Sequence, residues 1–321
     1  MQKTPLYPLL LDPSLHVKVW GGRKLETVMH KHLPTAEPYG ESWEMHDSAK
    51  VANGDLAGRT IGDLVQAYGA DLIGAGNDPK AGMPLLVKIL DANDWLSVQV
   101  HPNDEQARQL EGEPRGKTEA WYILAADENA RLVIGLAPDA TRENVAEAIR
   151  TNALESMLVY EPVVAGNVLY IPAGTIHALG PGLLVYEIQQ SSDTTYRLYD
   201  WGRMGLDGQP RPLHVEKSLT VARLGRLPSI TFIAGEHDTQ IDVVNSPYFK
   251  TVLEQLEGNS LELDTQGKVF HALTCIEGEA EVSDHHEAIA LKTGQTALIP
   301  AVIGRYTLTG TAKILRSYQT V

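Results

Sequence analysis

The sequence predicts a mainly β protein of two similar barrels, with a small helical portion attached to the first. Short runs of alternating apolar and polar residues recur along the chain, and after Pro228 almost every run has this antiparallel pattern. GNVLYIPAGTIHALG (residues 166–180) is also echoed by GQTALIPAVIGRYTL (residues 294–308), because in both segments five residues separate a glycine from Pro-Ala. Five residues beyond the proline the first copy has His177 and the second has Arg305, so we expect only the first barrel to keep a histidine there.

The strands of the first barrel are predicted by period-two alternation and by the turn signals between the runs. Residues 6–20 form an extended arm or strands, and residues 83–100 contain two β-type runs joined by a turn at residues 91–94. The segments EAWYILAA and ARLVIGLA predict two strands on either side of the polar residues 127–129, and VLYIPAG and LLVYEIQQSS predict two more.

Helical spacing and start signals predict four helices, in residues 54–74, 103–110, 141–158 and 214–224. The first begins near Thr60, and Asn103 or Asp104 caps the second. The third has the clearest pattern, because Thr141 can cap it and its apolar residues lie near one stripe.

Composition excludes some partners and leaves others open. The chain has 321 residues and a formal net charge of −14, which argues against nucleic acid or an anionic membrane as the main partner. A small anionic substrate needs only a local cluster of positive charge. There is one cysteine, Cys275, and no long apolar N-terminal run, so we expect a cytoplasmic protein without a signal peptide or a membrane span.

The stretch WLSVQVHPND, residues 95–104, places polar side chains on one face of a strand. Ser97, Gln99 and His101 alternate with Leu96, Val98 and Val100, so the polar set would point into a barrel. A single histidine on a strand is more often a hydrogen-bonded interior residue than a metal ligand. A metal-binding role is favoured if other potential ligands converge on this histidine.

Two further residues complete a possible ligand set. Glu119 enters an apolar strand, where an unpaired charge would be costly, although a solvated strand-entry residue is the simpler interpretation. His177 follows a tight turn made by Pro172 and Gly174 that can aim it inward, and a loop histidine is the alternative. With Gln99, these side chains form an N/O set that suits zinc in an open catalytic site.

These motifs resemble a known family. GNVLYIPAGTIHALG fits the second cupin motif, and VQVH with Glu119 is similar to the first, with glutamine where many cupins have histidine. KILDANDWLSVQVHPND, GKTEAWYIL, IPAGTIHA and YEIQQSSDTTYRLYDWGR together resemble type I mannose-6-phosphate isomerases, and most closely their compact bacterial branch. The resemblance implies two cupin-type (jelly-roll) barrels, with a catalytic metal-binding domain at residues 1–226 and a cupin-like, metal-free domain at residues 227–321.

The resemblance also implies roles for individual residues. The four zinc-ligand positions correspond to Gln99, His101, Glu119 and His177. The remaining matches are Arg197, an active-site arginine; Lys117 and Asp193, proposed to take part in proton transfer and ring opening; Ser97, a phosphate contact; and Trp20 and Glu187, pocket residues. Many longer relatives have His-Lys-Pro-Glu where this chain has Gly-Lys-Thr-Glu, so a role for that histidine cannot apply here.

The implied reaction interconverts mannose 6-phosphate and fructose 6-phosphate through an enediol or enediolate, with one Zn²⁺ or another divalent ion per chain. From the residues alone, a surface ion pair with an acidic neighbour such as Asp193 or Asp200 is the preferred interpretation of Arg197. Lys117 can be a base or a phosphate ligand. Lys88, Arg203 and Lys217 are weaker phosphate candidates.

Two other functions compete with the isomerase. An iron-dependent cupin oxygenase is disfavoured by Gln99, and a non-catalytic sugar-binding cupin would not need Lys117, Asp193 and Arg197 beside an open metal site. The expected partner is a small-molecule sugar phosphate, and the chain is a monomer or a homodimer. His271, His285 and His286 do not predict a second metal site, because the last two lie in a polar turn.

Overall fold

The computed structural model describes residues 3–225, 228–233 and 240–320. The strands are β1 Leu9–Asp12, β2 Ser14–Gly22, β3 Tyr39–Met45, β4 Lys50–Val51, β5 Leu85–Ala92, β6 Val98–Val100, β7 Glu119–Ala126, β8 Arg131–Leu136, β9 Leu158–Pro162, β10 Asn167–Ile171, β11 Ala178–Leu179, β12 Leu183–Gln190, β13 Tyr196–Tyr199, β14 Ile230–Phe232, β15 Gln240–Asn245, β16 Phe249–Asp264, β17 His271–Ser283, β18 Ala288–Lys292, β19 Thr296–Ile299 and β20 Arg305–Gln319. The α-helices are α1 Lys24–Thr27, α2 Ile61–Tyr68, α3 Ala70–Ile73, α4 Asp104–Glu111, α5 Arg142–Arg150 and α6 Val215–Val221. Single 3₁₀ turns occupy Gly54–Leu56, Pro79–Ala81, Leu154–Met157 and Ala301–Ile303.

Two large antiparallel sheets contain most of the strands. The first has the order β14-β10-β7-β12-β5-β3-β2, and the second has the order β15-β16-β20-β17-β19-β1-β4, with β18 paired to β17. Two smaller sheets, β11-β8-β9 and β13-β6, lie within residues 98–199. The mainly β architecture with a small helical portion is therefore confirmed. In the described residues, the first and last strands of each large sheet do not pair with each other, so neither sheet closes into a barrel.

Each large sheet also contains strands from the other part of the chain, β1 and β4 in the second sheet and β14 in the first. The N-terminal strand β1 pairs with β19, with Leu9 opposite Leu298, while β14 pairs with β10, with Val168 opposite Thr231. Strand pairing in both large sheets consequently ties the N-terminal and C-terminal parts of the chain together. The domain boundary expected between residues 226 and 227 stays a prediction, and these two residues lie outside the described part of the chain.

The helix starts follow the capping signals of the sequence. Thr60, Asn103 and Thr141 each accept a hydrogen bond from a backbone N–H in the first turn, and the last two form capping boxes. The helix predicted for residues 141–158 is shorter than expected. It ends at Arg150 because Asn152 adopts a φ of +54°, and β9 already begins at Leu158.

Three strands of the C-terminal part, β16, β17 and β20, have 16, 13 and 15 residues and are longer than the short runs that the sequence predicts. The segments HALTCIEG and EAEVSD each have the alternation of a short strand, but HALTCIEGEAEVS forms one continuous strand, β17. Its Gly278 does not interrupt the strand. A Cβ there would lie 2.1 Å from the carbonyl oxygen of Thr311, so glycine is needed for the close approach of β20.

The strand β6 separates two apolar clusters. Val98 and Val100 pack in a cluster with Val133 and Leu198, as the alternation predicts. Leu96 lies before the start of β6 and instead packs in the cluster that contains Trp20, so the predicted alternation is wrong at this residue. No helix in the described residues is long and apolar enough to cross a membrane.

Candidate metal centre and cavity

Three buried side chains from separate parts of the chain converge beside the start of β7. His101 follows β6, Glu119 is the first residue of β7, and His177 lies between β10 and β11. The Nε2 atom of His177 is 3.2 Å from Oε1 of Glu119, and Nε2 of His101 is 3.5 Å from Oε2. Within residues 3–225, 228–233 and 240–320, no other group of three or more His, Cys, Asp or Glu residues meets so closely.

Backbone hydrogen bonds fix the loop that delivers His177. The N–H and carbonyl groups of Gln99 and His177 form a reciprocal pair of 3.0 Å hydrogen bonds. The turn after Pro172 contains Gly174 with a φ of +88°, and a Cβ there would lie 2.9 Å from the carbonyl oxygen of Val221. Glycine therefore allows the tight path that turns His177 inward.

Both imidazoles are held in the tautomer in which Nε2 carries no proton. Nδ1 of His101 is 3.0 Å from the carbonyl oxygen of Thr194, and Nδ1 of His177 is 2.9 Å from that of Thr175. A carbonyl oxygen only accepts hydrogen bonds, so each Nδ1 carries the proton and donates it. Each Nε2 then presents its lone pair toward Glu119, as in a metal-binding histidine.

The centre has an excess of buried electron-pair donors. Both carboxylate oxygens of Glu119 and Nε2 of His101 have no hydrogen-bond partner in the described part of the chain. Burial alone would raise the pKa of Glu119, but the charge of Lys117 helps to hold it well below its usual range. Burial and the same lysine lower the pKa of His101. A carboxylate and a neutral imidazole that face each other repel, and a cation between them relieves this repulsion.

A cavity of about 280 Å³ lies next to this centre. Its lining includes five basic and three acidic side chains: Lys18, Lys88, Lys117, Arg197 and Arg211, and Glu41, Glu187 and Asp193. A wall with net positive charge in a chain of net charge −14 suits an anionic small molecule.

The cavity brings together the site residues that the sequence singles out. Those in the lining are Trp20, Ser97, Gln99, Lys117, Glu187, Asp193 and Arg197. Lys117 lies between the cavity and the His101–Glu119–His177 centre, because it lines the cavity and its Nζ is 3.4 Å from Oε2 of Glu119. The amide Nε2 of Gln99 is 3.3 Å from Nε2 of His177.

Among the described residues, no aspartate lies within ion-pair distance of Arg197. Its Nη1 donates a 2.8 Å hydrogen bond to the carbonyl oxygen of Pro212. Asp200, one of its two suggested partners, is instead bound to Arg203 and Arg211. The ion-pair interpretation of Arg197 is therefore wrong, and its guanidinium faces the cavity.

A buried charge network forms another wall of the cavity. Nζ of Lys88 is 3.5 Å from Glu187 and 3.9 Å from Glu41, and Trp121 donates a 2.8 Å hydrogen bond to Glu187. Burial would lower the pKa of Lys88, but the two carboxylates raise it above its usual value. Burial and the charge of Glu119 raise the pKa of Glu187.

Three charged lining residues escaped the sequence reasoning: Lys18, Glu41 and Arg211. Lys18 lies two residues before Trp20 on β2, so strand alternation could have identified it. Among the weaker phosphate candidates, Lys88 lines the cavity, whereas Arg203 and Lys217 do not, and Lys217 pairs with Glu111.

The C-terminal half holds its histidines apart. His271 is buried and hydrogen-bonded to the hydroxyl of Tyr306 at 2.7 Å, while His285 and His286 are exposed in a turn. Arg305, at the position that corresponds to His177, is exposed and lies 3.8 Å from Asp264.

Two family models match the chain. Residues 9–138 match the type I phosphomannose isomerase catalytic domain, and residues 239–319 match the mannose-6-phosphate isomerase cupin domain. The chain is 35% identical to the mannose-6-phosphate isomerase of Streptococcus mutans and 34% identical to mannose-6-phosphate isomerase ManA of Bacillus subtilis. Each alignment covers 97% of this chain and 98% of the relative.

Solved structures give the same fold. The crystal structure of mannose 6-phosphate isomerase from Bacillus subtilis superposes with a TM-score of 0.87 at 30% identity, covering 97% of this chain and 99% of that one. A variant of phosphomannose isomerase from Salmonella typhimurium has a TM-score of 0.78 at 18% identity, covering 98% and 100%. At this lower identity the match shows the fold alone.

Proposed function

Since the chain belongs to the type I phosphomannose isomerase family, we propose that its cavity isomerises mannose 6-phosphate and fructose 6-phosphate with a divalent metal ion bound at His101, Glu119 and His177. The observation that carries the proposal is the set of buried, unpartnered electron-pair donors on His101 and Glu119, which converge with His177 beside a positively charged cavity. The centre supplies a place for a cation, and the cavity supplies a place for a sugar phosphate.

We propose zinc as the ion and Gln99 as a fourth ligand. Two imidazoles and a carboxylate, without a thiolate, are typical of an open catalytic zinc site. The amide nitrogen of Gln99 lies 3.3 Å from Nε2 of His177, so a 180° rotation of the amide would present its oxygen to the ion. When bound, the ion supplies a Lewis acid that polarises the sugar carbonyl and helps to neutralise the charge of the enediolate.

The side chains of the cavity would divide the remaining work. Isomerisation moves a proton between carbons 1 and 2, and Lys117 is the basic group closest to the centre, 3.4 Å from Glu119. Asp193 is the exposed carboxylate of the lining, so we assign it the proton transfer that opens the sugar ring. Arg197 has a fixed charge and unused N–H groups, and it stabilises the negative oxygen that forms at carbon 1 or 2.

Buried groups orient the rest of the sugar. Lys88 and Glu187 hold each other at the base of the cavity and offer a donor and an acceptor to sugar hydroxyls. Trp20 and Trp121 supply apolar rings against which the carbon skeleton can pack. The sugar phosphate is the only partner that this proposal requires. A cytoplasmic location and a monomeric or dimeric state stay predictions.

The direct test is a coupled assay with mannose 6-phosphate before and after chelation, followed by add-back of zinc, manganese or cobalt. Activity should disappear on chelation and return with the native ion. Metal content measured on the purified protein identifies that ion. Wild-type protein that carries the metal but never converts mannose 6-phosphate would contradict the proposal, and oxygen uptake in its place would favour an oxygenase.

A further inference from the structure

A short hairpin after β13 carries an arginine into the cavity, and the proposed mechanism does not use that arginine. Met204 and Pro210 form an isolated antiparallel bridge, and the N–H of Gly205 donates a 2.7 Å hydrogen bond to Gln209. Arg203 and Arg211, which flank the bridge, therefore leave the base of the hairpin on neighbouring strands. One acidic residue can reach both.

That residue is Asp200, which is only 6% exposed. Its Oδ1 accepts a 2.9 Å hydrogen bond from Nη2 of Arg203, and its Oδ2 accepts a 2.7 Å hydrogen bond from Nε of Arg211. Arg203 continues outward to the exposed Asp94, at 3.5 Å. Of these two arginines, only Arg211 lines the cavity. The carboxylate of Asp200 therefore holds one arginine that points outward, Arg203, and one that points into the cavity, Arg211.

The inward arginines keep unused donors. In the described residues, Nη1 of Arg211 has no hydrogen-bond partner, and the buried Nε of Arg197 has none either. Burial and the nearby charge of Arg211 lower the pKa of Arg197, so the two cations repel. The three arginines of this region exceed the two aspartates that pair with them, which leaves positive charge for an anion to neutralise.

Asp200 and the Arg211 that it holds lie toward the Ser97 end of β6, away from Gln99, whereas Arg197 lies opposite Gln99 itself. β6 and β13 are antiparallel, with Val98 opposite Tyr199. Ser97, which precedes Val98, and Asp200, which follows Tyr199, therefore lie on the same side of this pair. Ser97 is two residues from Gln99, a spacing of about 6.6 Å along a strand. A hexose with carbons 1 and 2 beside Gln99 would therefore bring carbon 6 toward this end.

We propose that Arg211, positioned by Asp200, binds the phosphate group of the substrate and sets the preference for phosphorylated over free aldoses. The inference rests on the proposed function and extends it to a residue outside the set that the family resemblance supplies. A guanidinium held on one edge by a carboxylate keeps its other edge for a phosphate, which it recognises with geometry as well as charge.

The test compares Arg211→Met with two other arginine variants. Arg211→Met should raise KM for mannose 6-phosphate roughly 10- to 100-fold, the loss expected for a charge-assisted hydrogen bond, and should raise the inhibition constant of inorganic phosphate in parallel. Its kcat and metal content should stay within threefold of wild type. Arg211→Lys keeps the charge and should fall between the two.

Arg203→Met removes the outward arginine from the same carboxylate, and Arg305→Met removes an exposed arginine from the other half of the chain. Both should leave KM within threefold of wild type. The inference is overturned if Arg203→Met raises KM and Arg211→Met does not, or if all three variants behave alike. Matching thermal unfolding curves show that the variants are folded.

Calorimetric titration of the metal-loaded protein with inorganic phosphate separates this inference from the proposed function. If wild type lacks isomerase activity but binds phosphate, and Arg211→Met abolishes that binding, the anion site stands and the isomerase proposal falls. If wild type is an active isomerase and Arg211→Met binds phosphate as tightly as wild type does, the isomerase stands and the role of Arg211 falls.

Discussion

The imidazole rings of His101 and His177 lie 4.9 Å apart, centre to centre, and each turns its Nε2 toward Glu119. Both rings are anchored through Nδ1 to backbone carbonyl groups rather than to side chains. Their orientation therefore follows from the paths of two loops, and the centre is preformed in the protein itself. This arrangement reduces the reorganisation needed to bind an ion.

Glu119→Gln should abolish tight metal binding. The substitution keeps the size of the side chain but removes the negative charge that offsets the ion, so we expect affinity to fall by more than about 100-fold and isomerase activity to fall with it. Metal content after dialysis and a chelator competition titration measure the effect. His285→Ala removes an exposed imidazole and is the matched control. Full metal content in Glu119→Gln would contradict the assignment of the centre.

Arg197→Ala should separate catalysis from metal binding. The guanidinium faces the cavity but lies outside the three-residue centre, so we expect kcat to fall about 100- to 1,000-fold with metal content unchanged. Arg197→Lys restores a charge without the planar fork and should recover part of the loss. Steady-state kinetics with metal analysis of the same samples provide the measurement. An unchanged kcat in Arg197→Ala would exclude it as a catalytic residue.

The alternation of the sequence identifies one wall of the site, because a strand fixes which side chains share a face. Ser97 and Gln99 both line the cavity for this reason, and a capping residue marks the helix start at Asn103 in the same local way. The rule stops working where the strand stops. Leu96, one residue before Ser97, belongs to the cavity side despite its place in the alternation.

Arg211 illustrates what the sequence cannot give. It lies in an irregular segment with no periodic pattern, and its position depends on Asp200, eleven residues earlier, and on the hairpin between them. Glu41 was missed for a related reason, since its importance comes from Lys88 on a neighbouring strand. Such residues are identified by contacts between segments that are distant in sequence, and local patterns in a single sequence do not predict those contacts.

His271 should make the protein less stable in mild acid. Burial and the charge of Arg316 lower its pKa to about 3, whereas an unfolded histidine titrates near 6.5. As the pH falls below 6.5 the unfolded chain takes up the proton first, so the stability present above 6.5 is lost progressively down to about pH 3. The loss approaches 1.4 kcal/mol per pH unit.

His271→Asn isolates this contribution, because asparagine can keep a hydrogen bond to Tyr306 but does not titrate. Urea unfolding of both proteins at pH 7, 6, 5 and 4 measures the difference in the free energy of unfolding. We expect the gap between them to shift in favour of the variant as the pH falls. A gap that is constant with pH would show that His271 does not carry the effect.

A buried ion pair at the junction of the two large sheets should couple their stabilities. Nζ of Lys31 is 2.7 Å from Oε1 of Glu44, with side chains 7% and 1% exposed. From the second sheet and its preceding turn, Gly294 accepts a hydrogen bond from Lys31, and Thr296 donates one to Glu44. Lys31→Met leaves Glu44 charged, buried and without a cation, and should destabilise the protein by about 3–5 kcal/mol.

Adding Glu44→Gln to Lys31→Met removes the orphaned charge while leaving an acceptor for Thr296, so the double variant should be more stable than Lys31→Met alone. Urea unfolding of wild type, the two single variants and the double variant completes the cycle. Lys50→Met removes an exposed lysine nearby on β4 and controls for loss of charge alone. Additive effects in the cycle would mean that the two side chains act independently, and the junction would then depend on its apolar contacts rather than on this pair.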